Sequence, residues 1–189
     1  MAAIAVAGKE VQMQKLSAEE LLAQYSAGKR DFNAVNLSEA YLFEANLQEI
    51  NFEGSDLSRA YLPYANLSQA NLYKTQLTAA QLGDVQLYQA NLSGADLEGS
   101  NLSRANLRRA NLQGANLSRA SLQGADLYNA DLSGADLTYA DLSRVNLENA
   151  KLTGTQLKGC NLFKARKVDL SNAECDRTTI MPDGYLNDR

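Results

Sequence analysis

Residues 90–117 read ANLSGADLEGSNLSRANLRRANLQGANL, and every fifth residue of this stretch is Leu. The same spacing runs without a break from Phe32 to Leu162, which gives 27 central positions, 25 of them Leu and two Phe. Each central residue is called position i below. Position i−2 is Ala in 17 of the 27 repeats, and position i−1 is Asn in 12 and Asp in seven. A repeat this regular determines the fold class before any other feature does.

A period of five fits neither a straight helix nor a straight strand. On a helix, five steps of about 100° each would spread the leucines over every face. On a strand, side chains alternate with a period of two, so an odd spacing would reverse the face at each repeat. Both conflicts disappear if the chain is extended from i−2 to i and turns a corner at i+1 and i+2. Positions i−2 and i then point inward, the other three face water, and repeated corners wind the chain into a coil.

A second period indicates how many repeats close the coil. Five of the eight glycines at position i+2 are separated by multiples of 20 residues. They are Gly54, Gly94, Gly114, Gly134 and Gly154. The aromatic pairs Phe32/Phe52 and Tyr41/Tyr61 are also 20 residues apart. We therefore expect four pentapeptides in each coil.

The sequence resembles the pentapeptide-repeat proteins. The A(D/N)LXX pattern of that family is seen in segments such as Ala90-Asn91-Leu92 and Ala135-Asp136-Leu137. The resemblance covers Phe32–Leu162 and implies an all-β fold, a right-handed quadrilateral parallel β-helix. The two ends, Leu21–Phe32 and Ile180–Gly184, resemble those of cyanobacterial members, and the tail is similar to that of a member that influences heterocyst differentiation.

The chain is predicted to have four segments. We expect a disordered N-terminal tail over residues 1–16 and a capping α-helix over residues 17–28. The pentapeptide-repeat β-helix follows over residues 29–165. Residues 166–189 are expected to contain a register slip, a last partial coil and a C-terminal cap. Caps are needed because the two ends of a β-solenoid carry unpaired strand edges that invite aggregation.

The helix prediction rests on local signals. Ser17 and Glu20 have the spacing of a capping box, and Gly28 is a typical helix terminator. At the other end, the spacing of central residues changes after Leu162, which indicates a three-residue insertion that bulges out near Arg166-Lys167. The next plausible centres are Leu170, Cys175 and Ile180. A turn at Pro182-Asp183-Gly184 would then end the coil.

Composition excludes several kinds of site. The chain has no His, so imidazole bases and His metal ligands are absent. Its two cysteines, Cys160 and Cys175, fall at inward positions, where small buried hydrophobic residues are expected. Asp126, Asp131, Asp136 and Asp141 would point outward from four different sides of one coil and could not share a metal. We expect no enzyme activity, no cofactor and no metal site.

One group of surface residues stands out as a candidate protein-binding site. Most outward positions carry Ser, Gln, Asn or Gly, but the first two coils carry five apolar residues on one side. They are Tyr41, Phe43, Tyr61, Pro63 and Tyr64. Exposed aromatic clusters mark partner sites. The alternative is that these residues only shield the N-terminal edge, under a tail formed by residues 1–15.

A secondary candidate is basic. Residues 101–125 contain four arginines and no acid, whereas residues 31–100 contain nine acids and two bases. The arginines are Arg104, Arg108, Arg109 and Arg119. Basic residues without interleaved aromatic residues are weak evidence for nucleic-acid binding. The alternative is a solvated face of mixed charge.

These observations favour a non-enzymatic protein–protein interaction or regulatory scaffold that presents the flat outer walls of a rigid solenoid. The expected partner is another protein, and the chain is expected to be a monomer or an end-to-end dimer. The net charge of −4 and the absence of a long apolar run predict a cytoplasmic protein with no membrane contact and no direct nucleic-acid binding. The family resemblance implies an alternative, a DNA mimic that binds a type II topoisomerase and so modulates gyrase. A mimic needs a continuous negative surface, which Arg104–Arg119 would interrupt.

Overall fold

A computed structural model describes residues 13–188 of the 189-residue chain. Its elements are a short strand β1 (Gln14–Lys15), one helix α1 (Ala18–Ser26) and a second short strand β2 (Val35–Asn36). The two strands pair in parallel. After β2, the described chain consists of turns and isolated parallel bridges rather than longer strands. No helix among residues 13–188 is long and apolar enough to cross a membrane.

The bridges have a constant register. From Asp31↔Asn51 to Asn146↔Arg166, each bridge joins residues 20 apart, and a new bridge occurs every five residues. In the extended segment around Asn91, the Asn91 backbone N–H donates to the Ala70 carbonyl of the preceding coil at 2.9 Å, and the Leu92 N–H donates to the Asn111 carbonyl of the following coil at 2.7 Å. Each short extended segment therefore bonds to the coils on both sides. The register agrees with the four pentapeptides per coil that the sequence predicts.

The corners explain the residues at i+2. A backbone hydrogen bond closes each corner, for example from the N–H of Ala95 to the carbonyl of Leu92 at 3.0 Å. All 27 residues at i+2 have positive φ, between +48° and +68°. Only glycine adopts this left-handed region without a steric cost. The eight glycines at this position thus mark a backbone conformation that the other 19 repeats adopt with a side chain.

The core confirms the predicted inward positions. All central residues from Phe32 to Leu162 are buried, and so are most of the residues at i−2. Large and small side chains alternate in the core, because most repeats supply a large central residue and a small residue at i−2. Side chains of the Leu, Phe and Ala residues therefore fill the interior of the coil. Stacked coils wound around one shared core are typical of solenoid proteins.

The N-terminal end is covered by α1. The Glu20 N–H donates to Ser17 Oγ at 3.1 Å, and the Ser17 N–H donates to Glu20 Oε2 at 2.8 Å, which is the predicted capping box. Leu21 is fully buried. The Tyr25 hydroxyl donates to the Gln48 carbonyl at 3.0 Å and ties the helix to the first coil.

The structure differs from the prediction just before the helix. A disordered tail was expected over residues 1–16. Residues 1–12 lie outside the described part, but Gln14–Lys15 form β1 and pair with Val35–Asn36. Leu16 is also buried, and its N–H donates to the Asn36 carbonyl at 3.0 Å. The physical reason is the open edge of the first coil, whose unpaired backbone groups can accept a further strand.

The C-terminal slip also differs from the prediction. The bridge separation falls from 20 residues to 18 at Gln156↔Glu174 and to 19 at Asn161↔Ile180. The last coil is therefore shortened, and the predicted three-residue insertion near Arg166-Lys167 is wrong. An insertion there would move Arg166 out of register, but Arg166 still pairs with Asn146 at the regular separation of 20 residues. The coil becomes shorter only between Arg166 and Glu174.

The central residues of the last coil are only partly those expected. Leu170 and Cys175 pack against the core, as predicted. Ile180 instead lies at a bridge position, because the neighbouring Thr179 is buried and its hydroxyl donates to the Leu157 carbonyl at 2.8 Å. The chain then turns at Met181–Gly184, where the Gly184 N–H donates to the Met181 carbonyl at 2.9 Å. An antiparallel bridge from Ile180 to Leu186 ends the coil.

Candidate protein-binding surface

The exposed aromatic residues of the first two coils form one stacked group. The bridge between Tyr41 and Tyr61 places one ring above the other, with centroids 5.2 Å apart and planes inclined by 11°. The centroid of the Phe43 ring lies 6.2 Å from that of Tyr61 and 5.8 Å from that of Tyr64. The Phe43 and Tyr64 rings meet edge to face. Pro63 is half-buried beside them. The structure thus brings together all five residues singled out in the sequence, and we call them the aromatic patch.

The aromatic patch is open to solvent. The exposed fraction is 66% for Tyr41, 54% for Tyr64, 40% for Tyr61 and 38% for Phe43. Central Leu residues in the same coils are at most 1% exposed. Rings stacked in this way are held by one another and lose little conformational freedom when a partner covers them. The aromatic patch is therefore an exposed apolar surface made of rings that pack against one another.

The described N-terminal elements lie elsewhere on the first coil. β1 pairs with Val35–Asn36, which belong to the wall that precedes the aromatic patch in the chain. Helix α1 is tied to Gln48, in the following wall. The edge-cover alternative invoked residues 1–15, of which residues 1–12 lie outside the described part. Within residues 13–188, the N-terminal strand β1 pairs with Val35–Asn36 and not with the segment that carries Tyr41.

The surroundings of the aromatic patch are acidic. Residues 31–70 contain six acids and one base. That base, Arg59, pairs with Glu39 at 3.2 Å, and both side chains are largely exposed. Glu44 occupies the corner beside Phe43 and lies one coil below Tyr64, since its N–H donates to the Pro63 carbonyl at 3.0 Å. The exposed rings are thus bordered by negative charge.

The first two arginines of the secondary candidate are engaged by carboxylates. Arg104 makes two hydrogen bonds to Asp84, with Nε 2.9 Å from Oδ1 and Nη2 2.6 Å from Oδ2. These bonds and the Asp84 charge raise the pKa of Arg104 above its ordinary value. Arg108 Nη1 lies 3.0 Å from Asp126 Oδ2, and its guanidinium carbon lies 4.5 Å from the Tyr128 ring centroid.

The other two arginines contact a tyrosine hydroxyl and a carboxylate of the preceding coil. Arg109 Nη1 donates to the Tyr88 hydroxyl at 3.4 Å, and Arg119 Nη1 lies 3.5 Å from Glu98 Oε1. Residues at the same corner of successive coils are 20 residues apart, and no two of these arginines have that separation. The four arginines therefore occupy three corners, one of which is shared by Arg108 and Arg109. The structure therefore distributes the four arginines around the solenoid. Three of them are neutralised by acids of an adjacent coil.

The two cysteines lie in or against the core, as the sequence predicts. Cys160 is buried, and burial strongly raises the pKa of its thiol. Burial also raises the pKa of the partly buried Cys175 thiol. Both thiols thus remain protonated at neutral pH and are poor nucleophiles. Residues 13–188 contain no group of three or more Cys, Asp or Glu that could hold a metal ion.

The C-terminal end contains a surface hollow that sequence reasoning missed. It has a volume of about 810 Å³ and opens beside the shortened last coil. Its lining includes Leu170, Cys175, Met181 and Leu186. Leu186 and Tyr185 are 61% and 75% exposed. The sequence pattern does not predict this hollow, because all of its lining residues lie after the regular repeat ends at Leu162.

Comparison with known families identifies the repeat. The family model described as pentapeptide repeats matches in eight copies, within residues 36–72, 50–85, 86–124, 100–138, 125–162 and 140–174. The chain belongs to the pentapeptide-repeat family. Proteins of this family fold as right-handed quadrilateral β-helices. No curated protein matches the chain.

Several solved structures are similar to this pentapeptide-repeat protein. HetL from the cyanobacterium Nostoc sp. strain PCC 7120, involved in heterocyst differentiation regulation, is 28% identical, with 91% of this chain and 100% of HetL covered and a TM-score of 0.42. The Nostoc pentapeptide-repeat protein alr5209 is also 28% identical, with 93% and 98% covered and a TM-score of 0.37. QnrB1, a plasmid-mediated fluoroquinolone resistance protein, is 20% identical, with 80% and 79% covered and a TM-score of 0.54. At that identity, the likeness to QnrB1 shows the fold alone.

Proposed function

We propose that this protein is a non-enzymatic binding module, a right-handed quadrilateral β-helix whose aromatic patch docks onto another protein. The observation that carries this proposal is the stack of Tyr41 on Tyr61, with Phe43 and Tyr64 packed against it and all four rings exposed. Aromatic anchors at the centre of an interface contribute about 2 kcal/mol or more each.

The rest of the molecule supports a binding role over catalysis. The interior is filled by Leu, Phe and Ala side chains, so it offers no substrate cavity along the repeat. General acid–base and nucleophilic catalysis need a titratable group near its working pH beside a second reacting group. Here both thiols have raised pKa values, and the chain has no imidazole. Function is therefore assigned to the outer surface.

The DNA-mimic alternative is the weaker candidate. The acids of residues 31–100 favour it, since a mimic of duplex DNA must present negative charge over a long surface. The corner column that begins with Glu44 and continues through Asp84 changes sign at Arg104, whose guanidinium neutralises Asp84. We expect the purified protein at micromolar concentration to leave gyrase supercoiling unchanged. Potent inhibition, or protection of gyrase from a quinolone, would reverse this order of preference.

The proposed function is tested by isolating the partner and measuring its affinity for matched variants. Immobilised protein retrieves candidates from native lysate, and each purified candidate is titrated by calorimetry. The Tyr61→Ser/Tyr64→Ser double variant should bind at least about tenfold more weakly. Arg108→Ser/Arg109→Ser is the control, because it removes two exposed side chains from one corner of a later coil. Thermal unfolding confirms that both variants fold.

The reverse pattern would contradict the proposal. If the aromatic variant folds and binds normally while the arginine variant loses affinity, the aromatic patch only covers an edge and the arginines form the binding site.

A further inference from the structure

The surface around the aromatic patch points to the chemistry of its partner, an inference that rests on the proposed function. We propose that the aromatic patch receives a cationic polypeptide segment. In this arrangement, Arg or Lys side chains of the partner lie over the exposed rings and pair with the carboxylates that border them. Charge, the placement of this protein's own cations and one internal example of the same contact support the proposal.

The first observation is the charge of the two coils that carry the aromatic patch. Six acids and two bases within residues 30–69 give these two coils a formal charge of −4. Of the two bases, Arg59 is paired with Glu39, and Arg30 lies over the Tyr25 ring. Among residues 13–188, no Lys or Arg lies within ion-pair distance of Glu44, the carboxylate beside Phe43. Exposed, uncompensated negative charge attracts a cationic partner and repels an anionic one.

The second observation is where this protein places its own cations. Five described aromatic rings have a Lys or Arg positioned over them, at 3.9 to 5.0 Å from the ring centroid. Those rings are Tyr25, Phe32, Tyr73, Tyr128 and Phe163. Within the described residues, none of the four rings of the aromatic patch has a Lys or Arg over its face, although Arg104 lies near the Tyr64 hydroxyl. Their outer surfaces therefore remain open to a cation from elsewhere.

The third observation is a complete example within the same solenoid. The Arg108 guanidinium lies 3.0 Å from Asp126 Oδ2 and 4.5 Å from the centroid of the Tyr128 ring. A carboxylate and an aromatic ring on one wall together hold a cation, which combines a charge-assisted hydrogen bond with a cation–π contact. The aromatic patch offers the same two components, since Glu44 borders Phe43 and Tyr64. Among the described residues, no cation of this protein lies over its rings or pairs with Glu44.

A purely apolar partner fits this surface less well. Covering the aromatic patch with apolar groups would remove water from the tyrosine hydroxyls and from the carboxylate of Glu44 without replacing their hydrogen bonds, which is costly. A cationic segment replaces these bonds and adds the ring contacts. Such an interaction weakens as ionic strength rises, because exposed charges are screened. Salt dependence is therefore an expected signature.

The test uses a fluorescein-labelled hexa-arginine peptide as the probe and the intact protein as its receptor. Fluorescence anisotropy gives the affinity at low and at physiological ionic strength. Hexa-glutamate and an uncharged peptide of alternating Leu and Ser, both of the same length, are run in parallel. We expect hexa-arginine to bind most tightly and to lose affinity with added salt. Tyr61→Ser/Tyr64→Ser should weaken its binding about tenfold, and Glu44→Gln about threefold.

The control variant is Glu174→Gln, which removes one exposed carboxylate from the last coil, far from the aromatic patch. It should leave the affinity unchanged. Equal binding of hexa-arginine to the tyrosine variant would overturn the inference, because it would show general attraction to a protein of net charge −4. Tighter, tyrosine-dependent binding of the Leu/Ser peptide would also overturn it while leaving the proposed function intact. The proposed function itself fails only if the native partner binds the tyrosine variant normally.

Discussion

The Ser55 hydroxyl donates a hydrogen bond to the carbonyl of Phe32, with an oxygen–oxygen distance of 2.9 Å, inside a largely apolar core. The same hydroxyl accepts the N–H of Val35 at 3.1 Å. Thr75 and Thr155, also at i−2, donate to the carbonyls of Phe52 and Leu132 at 2.8 Å. A hydroxyl at i−2 therefore replaces Ala where it can bond to the backbone of the preceding coil.

Ser100 is the exception, and it gives the first prediction. Its hydroxyl is buried and has no hydrogen-bond partner among the described residues. Ser100→Ala removes an unsatisfied polar group and should stabilise the protein by about 1 kcal/mol. Ser55→Ala leaves the Val35 N–H without its acceptor and should destabilise the protein by about 1–2 kcal/mol. Urea unfolding of both variants measures the two effects. Equal shifts of the two midpoints would show that the Ser100 hydroxyl has a partner.

The fold of the repeat region could be predicted from the sequence because all 27 repeats share the same pattern of residue types. Central Leu and small residues at i−2 define the inward side, and the 20-residue recurrence fixes the register. β1 was missed because two residues, Gln14–Lys15, are too few to show a periodicity. The direction of the C-terminal slip was missed for another reason. A spacing of eight residues from Leu162 to Leu170 fits one lengthened repeat or two shortened ones, and only the pairing of Arg166 decides between them.

The sequence predicts which residues form the candidate site but not how their side chains are arranged. Outward positions and the 20-residue register place Tyr41 beside Tyr61 in the sequence itself. The tilt of Phe43 against Tyr64 and the bidentate pairing of Arg104 depend on side-chain rotamers, which a repeat pattern leaves undetermined. The basic residues therefore look like a cluster in the sequence, although the corners separate them in space.

The second prediction concerns the corners. Gly114 occupies an i+2 position with φ of +62°, and a β-carbon added there would have no neighbouring atom within 4 Å, so Gly114→Ala should cost about 1 kcal/mol through backbone strain alone. Gly83 occupies an i+1 position, and its nearest neighbours would lie 4.0 Å from an added β-carbon. Gly83→Ala should be neutral or stabilise by up to about 0.5 kcal/mol, because it restricts the unfolded chain. Thermal unfolding distinguishes them, and equal losses would refute the corner assignment.

The third prediction tests the core in a middle coil. Leu107 is fully buried. Leu107→Ala should destabilise the protein by about 3 kcal/mol, since the stacked walls on either side hold the cavity open. Ser118→Ala, at an outward position where the hydroxyl donates only to the nearby Asn116 side chain, should change stability by about 0.5 kcal/mol or less. Chemical denaturation measures both, and similar losses would mean that inward and outward positions are wrongly assigned.

The fourth prediction concerns acid stability and Asp131. Partial burial of this carboxyl opposes its ionisation, but hydrogen bonds from Ser133, Gln113 and Lys151 outweigh that effect and lower its pKa from 3.8 to about 2. The side chain is 17% exposed, and its Oδ2 accepts from Gln113 at 2.8 Å and lies 3.2 Å from Lys151 Nζ. A pKa lowered by folding stabilises the protein above the unfolded-state value and loses this contribution as pH falls through the folded-state value.

Asp131 should therefore contribute on the order of 2 kcal/mol at neutral pH, and this contribution should disappear between about pH 4 and pH 2. The free energy of unfolding of the wild type and of Asp131→Asn is measured by urea denaturation across that range. The two should differ most at neutral pH and converge as the pH approaches about 2, because the protonated carboxyl resembles the amide in charge. Comparing the pair cancels the other acids, including Asp126, whose pKa is also lowered in the folded state. Parallel stability curves throughout the range would show that the charge of Asp131 does not stabilise the fold.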